Sequence, residues 1–200
     1  MSRIPTALLA LHYQNEVLHP DGLIRVGIAD DEERAALIER ASALLAEARR
    51  RDWLMVHVRI AFRPDYADMP RNIPIFLRTE ALGAVKDGEW GAEFYPALGP
   101  RHSRREFALT HTSISAFRGT PLDQLLRSHG IARVVVAGVA THSVVEGTVR
   151  EAAESGYDVS VVADACAAAQ RATHEAALAS MALMAHVTTV QALLAAEEKE

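Results

Sequence analysis

The chain moves between short unbroken apolar runs and longer stretches in which apolar residues return every three or four positions. Residues 6–11 are nearly all apolar and lead through polar residues into a His19-Pro20-Asp21-Gly22 turn, which reads as a buried strand. From Asp30 the period changes. Asp30 stands as an N-cap, and Asp31, Glu32 and Glu33 suit the positive end of a helix dipole. Leu37, Ala41, Leu44, Leu45 and Ala48 then form one apolar stripe, closed by Arg49, Arg50 and Arg51. Residues 53–60 read as the second strand and 107–110 as a short third. Thr120 and Pro121 open a helix that runs to about His129 and stops at Gly130. Residues 133–138 are almost wholly apolar, as in a parallel strand covered on both faces. Thr141 caps a helix to about Ser155, and residues 158–163 form the fifth strand. A helix over about 173–185, a sixth strand at 187–190 and a C-terminal helix complete the chain.

Nearly every connection between these strands is of helical length. That order predicts an α/β fold, a doubly wound, mostly parallel six-stranded sheet with helices on both faces, formed by residues 1–200 as one domain. The exception is the stretch 61–106, which is punctuated by Pro and Gly, with a helical segment around Phe76 to Val85. Loops of this length inside compact domains usually line or cover a pocket.

Composition narrows the function. Half of the residues are hydrophobic and 24% are charged, as in a soluble globular protein. The net charge of -5, with both signs scattered, offers no footprint for nucleic acid. No stretch has the ~20 apolar residues of a membrane span, and Pro5 with the polar residues after Leu11 argues against a signal peptide. The single cysteine, Cys166, leaves no internal disulfide, so a cytoplasmic location is expected. The partner expected is a small-molecule substrate, with no nucleic acid and no membrane.

Sheets of this kind bind ligands outside the carboxyl ends of their strands. That rule selects His12 after the first strand, Phe62 and Tyr66 after the second, and His111 after the third. It also selects Ala140 to Val144 after the fourth and Asp164 to Cys166 after the fifth. A His at a strand end is often only a packed side chain, but two aimed at one crevice point toward acid–base chemistry. His57 lies on the second strand and offers a three-His metal site with them, without the short ligand spacing that marks zinc, so no metal and no cofactor are expected. Ser115 and Ser143 read as packing or capping hydroxyls unless a base touches them, and Cys166 reads as a small core residue. Phe62 and Tyr66, with Trp90, are candidate pocket walls.

The segments ALLALHYQNEV at 7–17, ISAFRGTPLD at 114–123, GVATHSVVEGT at 138–148 and YDVSVVADAC at 157–166 resemble the isochorismatase-like hydrolase superfamily, in order and with matching spacing. The resemblance implies amide hydrolysis by an Asp, a Lys and a nucleophilic Cys, which fall on His12, His111 and Val144 in this sequence. An isopropyl group has no lone pair, so thioester chemistry at Val144 is excluded. Relatives that cleave isochorismate without the Cys keep the Asp, which is also absent here. Where nicotinamidases hold a metal with an acid and two His, residues 58–65 carry Asp65 and no His. The resemblance further implies a cis peptide at Val139–Ala140, whose amides help hold a substrate oxygen, and a homodimer or homotetramer.

The resulting expectation is an enzyme acting on a small carbonyl- or carboxylate-bearing metabolite by non-covalent acid–base chemistry, either hydrolysis or proton transfer. His12 and His111 serve as acid and base, and Phe62, Tyr66, Val139, Ala140, His142 and Val144 contact substrate. An imidazole couple of this kind is expected to titrate within the physiological range. The alternative is a catalytically inactive member that binds a metabolite or a protein partner.

Overall fold

A computed structural model describes residues 4–24 and 31–196. Its strands are β1 (Thr6–Leu11), β2 (Leu54–Ile60), β3 (Glu106–His111), β4 (Arg133–Val139), β5 (Asp158–Ala167) and β6 (His186–Thr188). Its helices are α1 (Asn15–Leu18), α2 (Asp31–Arg50), α3 (Pro74–Leu82), α4 (Leu122–Ser128), α5 (Glu146–Glu154), α6 (Arg171–Met181) and α7 (Val190–Ala195). All five strand pairings are parallel, in the order β3-β2-β1-β4-β5-β6.

The chain works outward from β1 to β3 on one side and from β4 to β6 on the other, so the winding reverses between β1 and β4. Right-handed crossovers then carry α2 and α5 to opposite faces of the sheet. In keeping with this, α2 packs against α7, whereas α5 packs against α6. Coverage on both faces explains the unbroken apolar strands: all of β1 is buried, as is β4 from Val134 to Val139. The reversal opens a crevice at the carboxyl ends of β1 and β4, where Leu11 pairs with Gly138. A Cβ at Gly138, whose φ is +154°, would collide with the Leu11 carbonyl oxygen, so these two strand ends approach as closely as they do because residue 138 is glycine. Among the described residues no helix is long and apolar enough to cross a membrane.

Several element ends differ from the sequence reading. β5 runs four residues beyond Ala163, across a register irregularity opposite Val136 and Gly138, so Asp164 to Cys166 lie in the strand. The strand expected at 187–190 ends at Thr188, because the Thr189 hydroxyl accepts from the Ala192 N–H (3.2 Å) and starts α7. Pro121, not Thr120, occupies the cap position of α4, and the Thr120 hydroxyl accepts from the Leu122 N–H (3.2 Å). The helix after β4 opens with a π turn, Thr141–Val145, capped by Ala140 and not by Thr141. The proposed Asp30 cap lies outside the described residues.

Candidate active site

β1 and β3 flank β2, and His12 and His111 close over the end of the strand between them. His12 takes a left-handed backbone (φ 54°) immediately after Leu11 and ties its N–H to the Val58 carbonyl at 2.8 Å. Val85 has φ 49° and lines the same crevice. Such backbones cost of order 1–3 kcal/mol in non-glycine residues and gather at functional sites. His111 is the last residue of β3, paired with Ile60.

The two imidazoles meet at Nε2···Nε2 2.6 Å, with ring centroids 4.9 Å apart. His111 Nδ1 lies 3.1 Å from the Ser115 carbonyl oxygen. A carbonyl oxygen only accepts, so His111 carries its proton on Nδ1. Burial pushes the His111 ring down to about 4, although the Ser115 carbonyl opposes this, so the ring is neutral at physiological pH and its Nε2 holds a lone pair. The short contact therefore requires His12 to donate from Nε2–H. Burial first, and the facing His111 ring second, keep His12 well below the ordinary imidazole value of 6.5. The expected physiological-range titration is thus corrected: desolvation holds both rings neutral.

His12 lines a cavity of about 230 Å³, whereas His111, only 3% exposed, stands behind it. Val139, Ala140 and His142 line the cavity, and the Val139–Ala140 peptide is cis. His142 Nδ1 is buried and has no hydrogen-bond partner among the described residues. Phe62 and Tyr66 do not line the cavity. They form a cluster behind its wall, Phe62 edge-on to Phe76 at 5.3 Å and the Tyr66 hydroxyl donating to the Ala84 carbonyl at 2.9 Å. Val144 is also absent from the lining, packed in the main core at 1% exposure.

His57 turns away from the pair. Its Nδ1 lies 3.1 Å from the Leu98 carbonyl and its Nε2 lies 3.2 Å from Glu106, which Arg49 grips in turn. The three-His convergence is therefore not formed, and among the described residues no group of three or more His, Cys, Asp or Glu could hold a metal. Asp65 is exposed and paired with Arg63 at 2.9 Å. Cys166 is buried, and burial raises its thiol to about 12, which leaves no thiolate for attack. The Ser115 hydroxyl accepts from the Phe117 N–H.

Sequence reasoning missed the cavity's far wall. Ile75, Arg78, Thr79 and Leu82 recur at helical spacing on α3 and line it, and Ser113 joins them from the loop after β3. The available signal was Pro74 at the first helical position followed by that spacing. Also missed were Gln14, buried at the end of β1, and His174 of α6, whose Nδ1 lies 2.8 Å from the Thr141 hydroxyl.

Known proteins carry the same architecture. A solved isochorismatase family protein from Desulfovibrio vulgaris superposes with a TM-score of 0.84 at 31% identity, over 96% of this chain and 97% of that one. The isochorismatase family protein YwoC of Bacillus subtilis is 31% identical over 159 residues, 78% of this chain and 79% of its own. The ureidoacrylate amidohydrolase RutB of Methylorubrum extorquens is 28% identical over 172 residues, 80% of this chain and 68% of its own. The isochorismatase domain family matches residues 6–192. With the family match over residues 6–192 and the superposition in agreement, the chain belongs to the isochorismatase-like hydrolase family.

Proposed function

We propose that the protein is a hydrolase-like enzyme that acts on a small carbonyl- or carboxylate-bearing metabolite by general acid–base chemistry, without a covalent intermediate. The observation that carries this reading is the 2.6 Å contact between His12 and His111 at the cavity wall. His12 Nε2 is committed to His111, so the nitrogen left to take a proton is Nδ1. In hydrolysis, His12 Nδ1 removes a proton from water as its oxygen bonds to the substrate carbonyl carbon. The same proton then passes to the leaving group as its bond to that carbon breaks. His111 Nε2 accepts from His12 throughout and stabilises the transient imidazolium, while the Ser115 carbonyl fixes its tautomer. Val139, Ala140 and His142 flank the bound carbonyl. Without the water, the same base supports a proton transfer within the substrate.

A second reading, a member that binds a metabolite and turns nothing over, draws on one observation: Val144, where the resemblance implies a nucleophile, is aliphatic and buried. A panel of small amides, esters and carbonyl compounds separates the two, with acid or ammonia release reporting hydrolysis and deuterium wash-in reporting proton transfer. A substrate whose turnover falls roughly 10²–10⁴-fold in His12→Ala, and less in His111→Ala, supports catalysis by the pair. Full turnover in His12→Ala removes the ring from the mechanism. Binding with no turnover across the panel favours the second reading.

A further inference from the structure

Among the described residues the cavity is apolar over most of its wall, yet one formal charge, Arg78, stands on it. Arg78 projects from α3 on the face shared with Ile75, Thr79 and Leu82, one turn of helix from each end of that row. Arg78 is exposed, while His12, across the cavity, is 8% exposed. The neighbouring arginines are engaged: Arg59 with Asp87 and Glu93, Arg63 with Asp65, and Arg71 with Glu80. Arg78 has no ion-pair partner among the described residues, and no acidic side chain lines the cavity with it.

We propose that Arg78 is the anionic-substrate anchor of this site, and that the ligand is a small monocarboxylate with an apolar body. Its carboxylate is held bidentately at the mouth, and its carbon skeleton lies on Ile75, Phe76, Val85 and Ile114 toward His12. The assignment rests on the proposed function only for the direction in which the ligand points. A guanidinium matches a carboxylate with two parallel N–H···O bonds, which a neutral amide of the same shape cannot reproduce. In a chain of net charge -5, a cation at the mouth with no ion-pair partner among the described residues also draws an anion. A second anionic group meets no further cation among the described lining residues, so dicarboxylates are disfavoured.

Equilibrium titration with benzoate and benzamide, followed by NMR shifts of the full chain, tests the assignment without turnover. Benzoate is expected to bind at least tenfold more tightly than benzamide. Arg78→Gln should lose that preference, weakening benzoate about tenfold with benzamide unchanged, and Arg78→Lys should restore part of it. Unfolding of Arg78→Gln is checked by its amide spectrum, and the exposed position of the residue makes a folded variant the expected result. Equal binding of the two probes to the native protein, or undiminished benzoate binding in Arg78→Gln, overturns the anchor. His12→Ala distinguishes this from failure of the catalytic proposal. If turnover survives that change while benzoate still depends on Arg78, the chemistry is lost and the anchor stands.

Discussion

Gln14 joins the end of β1 to the end of β2 through Ile60: its side-chain oxygen accepts from the Ile60 N–H and its amide donates to the Ile60 carbonyl, both at 2.9 Å. The same amide donates to the Ala92 carbonyl at 2.9 Å, so this fully buried side chain is satisfied on three sides. It sits two residues beyond His12, and Ile60 pairs with His111 of β3, so one amide ties the strand end that carries His12 to the strand lying between the two imidazole-bearing strands.

Gln14→Leu keeps comparable bulk but strands three backbone groups in the interior. Each buried group left unpaired costs ~1–3 kcal/mol, and partial relaxation brings the expected loss to about 2–4 kcal/mol. Urea denaturation of the variant measures it. A loss below about 0.5 kcal/mol would mean that the strand ends are held by other contacts.

The buried imidazoles set a direction for acid stability. His111 and His57 are each pushed down to about 4, chiefly by burial, and His12 is lowered in the same sense. Between the unfolded value of ~6.5 and those folded values, the unfolded chain binds protons that the folded chain does not. Stability contributed by these rings is therefore fully present above about pH 6.5 and falls as pH drops toward 4, by about 1.4 kcal/mol per pH unit for each ring that titrates. Glu106 and Glu47, held at about 2 by their arginine partners against the opposing effect of burial, add to the loss only below the ordinary carboxylate range. The denaturation midpoint should be nearly level from about pH 7 to 8 and clearly lower at about pH 5.5. An unchanged or higher midpoint in acid would show that the rings are not desolvated in the folded chain. Activity has the same sign but is governed by the folded rings alone, since the proposed base works neutral: kcat/KM should be level through neutrality and through about 6.5, and decline only where the lowered His12 ring takes up a proton, well below the ordinary imidazole value of 6.5.

Cys166 is predicted to be inert. With its thiol raised to about 12 by burial, it should resist a thiol-specific disulfide reagent at about pH 8 in the native protein and react fully in urea. Cys166→Ala should leave turnover unchanged. Stoichiometric labelling of the folded chain within seconds would contradict the burial described here.

Much of the architecture was legible because strands covered on both faces are written as unbroken apolar runs, as in residues 6–11 and 133–138. The strand-end rule then brought His12 and His111 forward with no geometry at all. The rest depended on facts that a linear pattern does not hold. An aromatic residue just past a strand reads the same whether it faces a ligand or a core, and Phe62 and Tyr66 took the core. Arg78 fell within the helical segment read around Phe76 to Val85, but the strand-end rule selects only residues after strands, and nothing in the linear pattern turns that helix face toward the crevice. The left-handed backbone that aims His12 has no Gly or Asn to announce it, and desolvation of the pair appears only once its neighbours are in place.

The central claim is that His12 and His111 share one proton between neutral rings. Long-range ¹H–¹⁵N correlation of the labelled imidazoles at about pH 7.5 reads this directly, with His12→Ala and His111→Ala supplying the assignments. The predicted spectrum has His111 as the Nδ1–H tautomer and His12 as the Nε2–H tautomer, both neutral, with the His111 Nε2 shift moving when His12 is removed. A cationic ring at that pH, or His111 protonated on Nε2, would contradict the account.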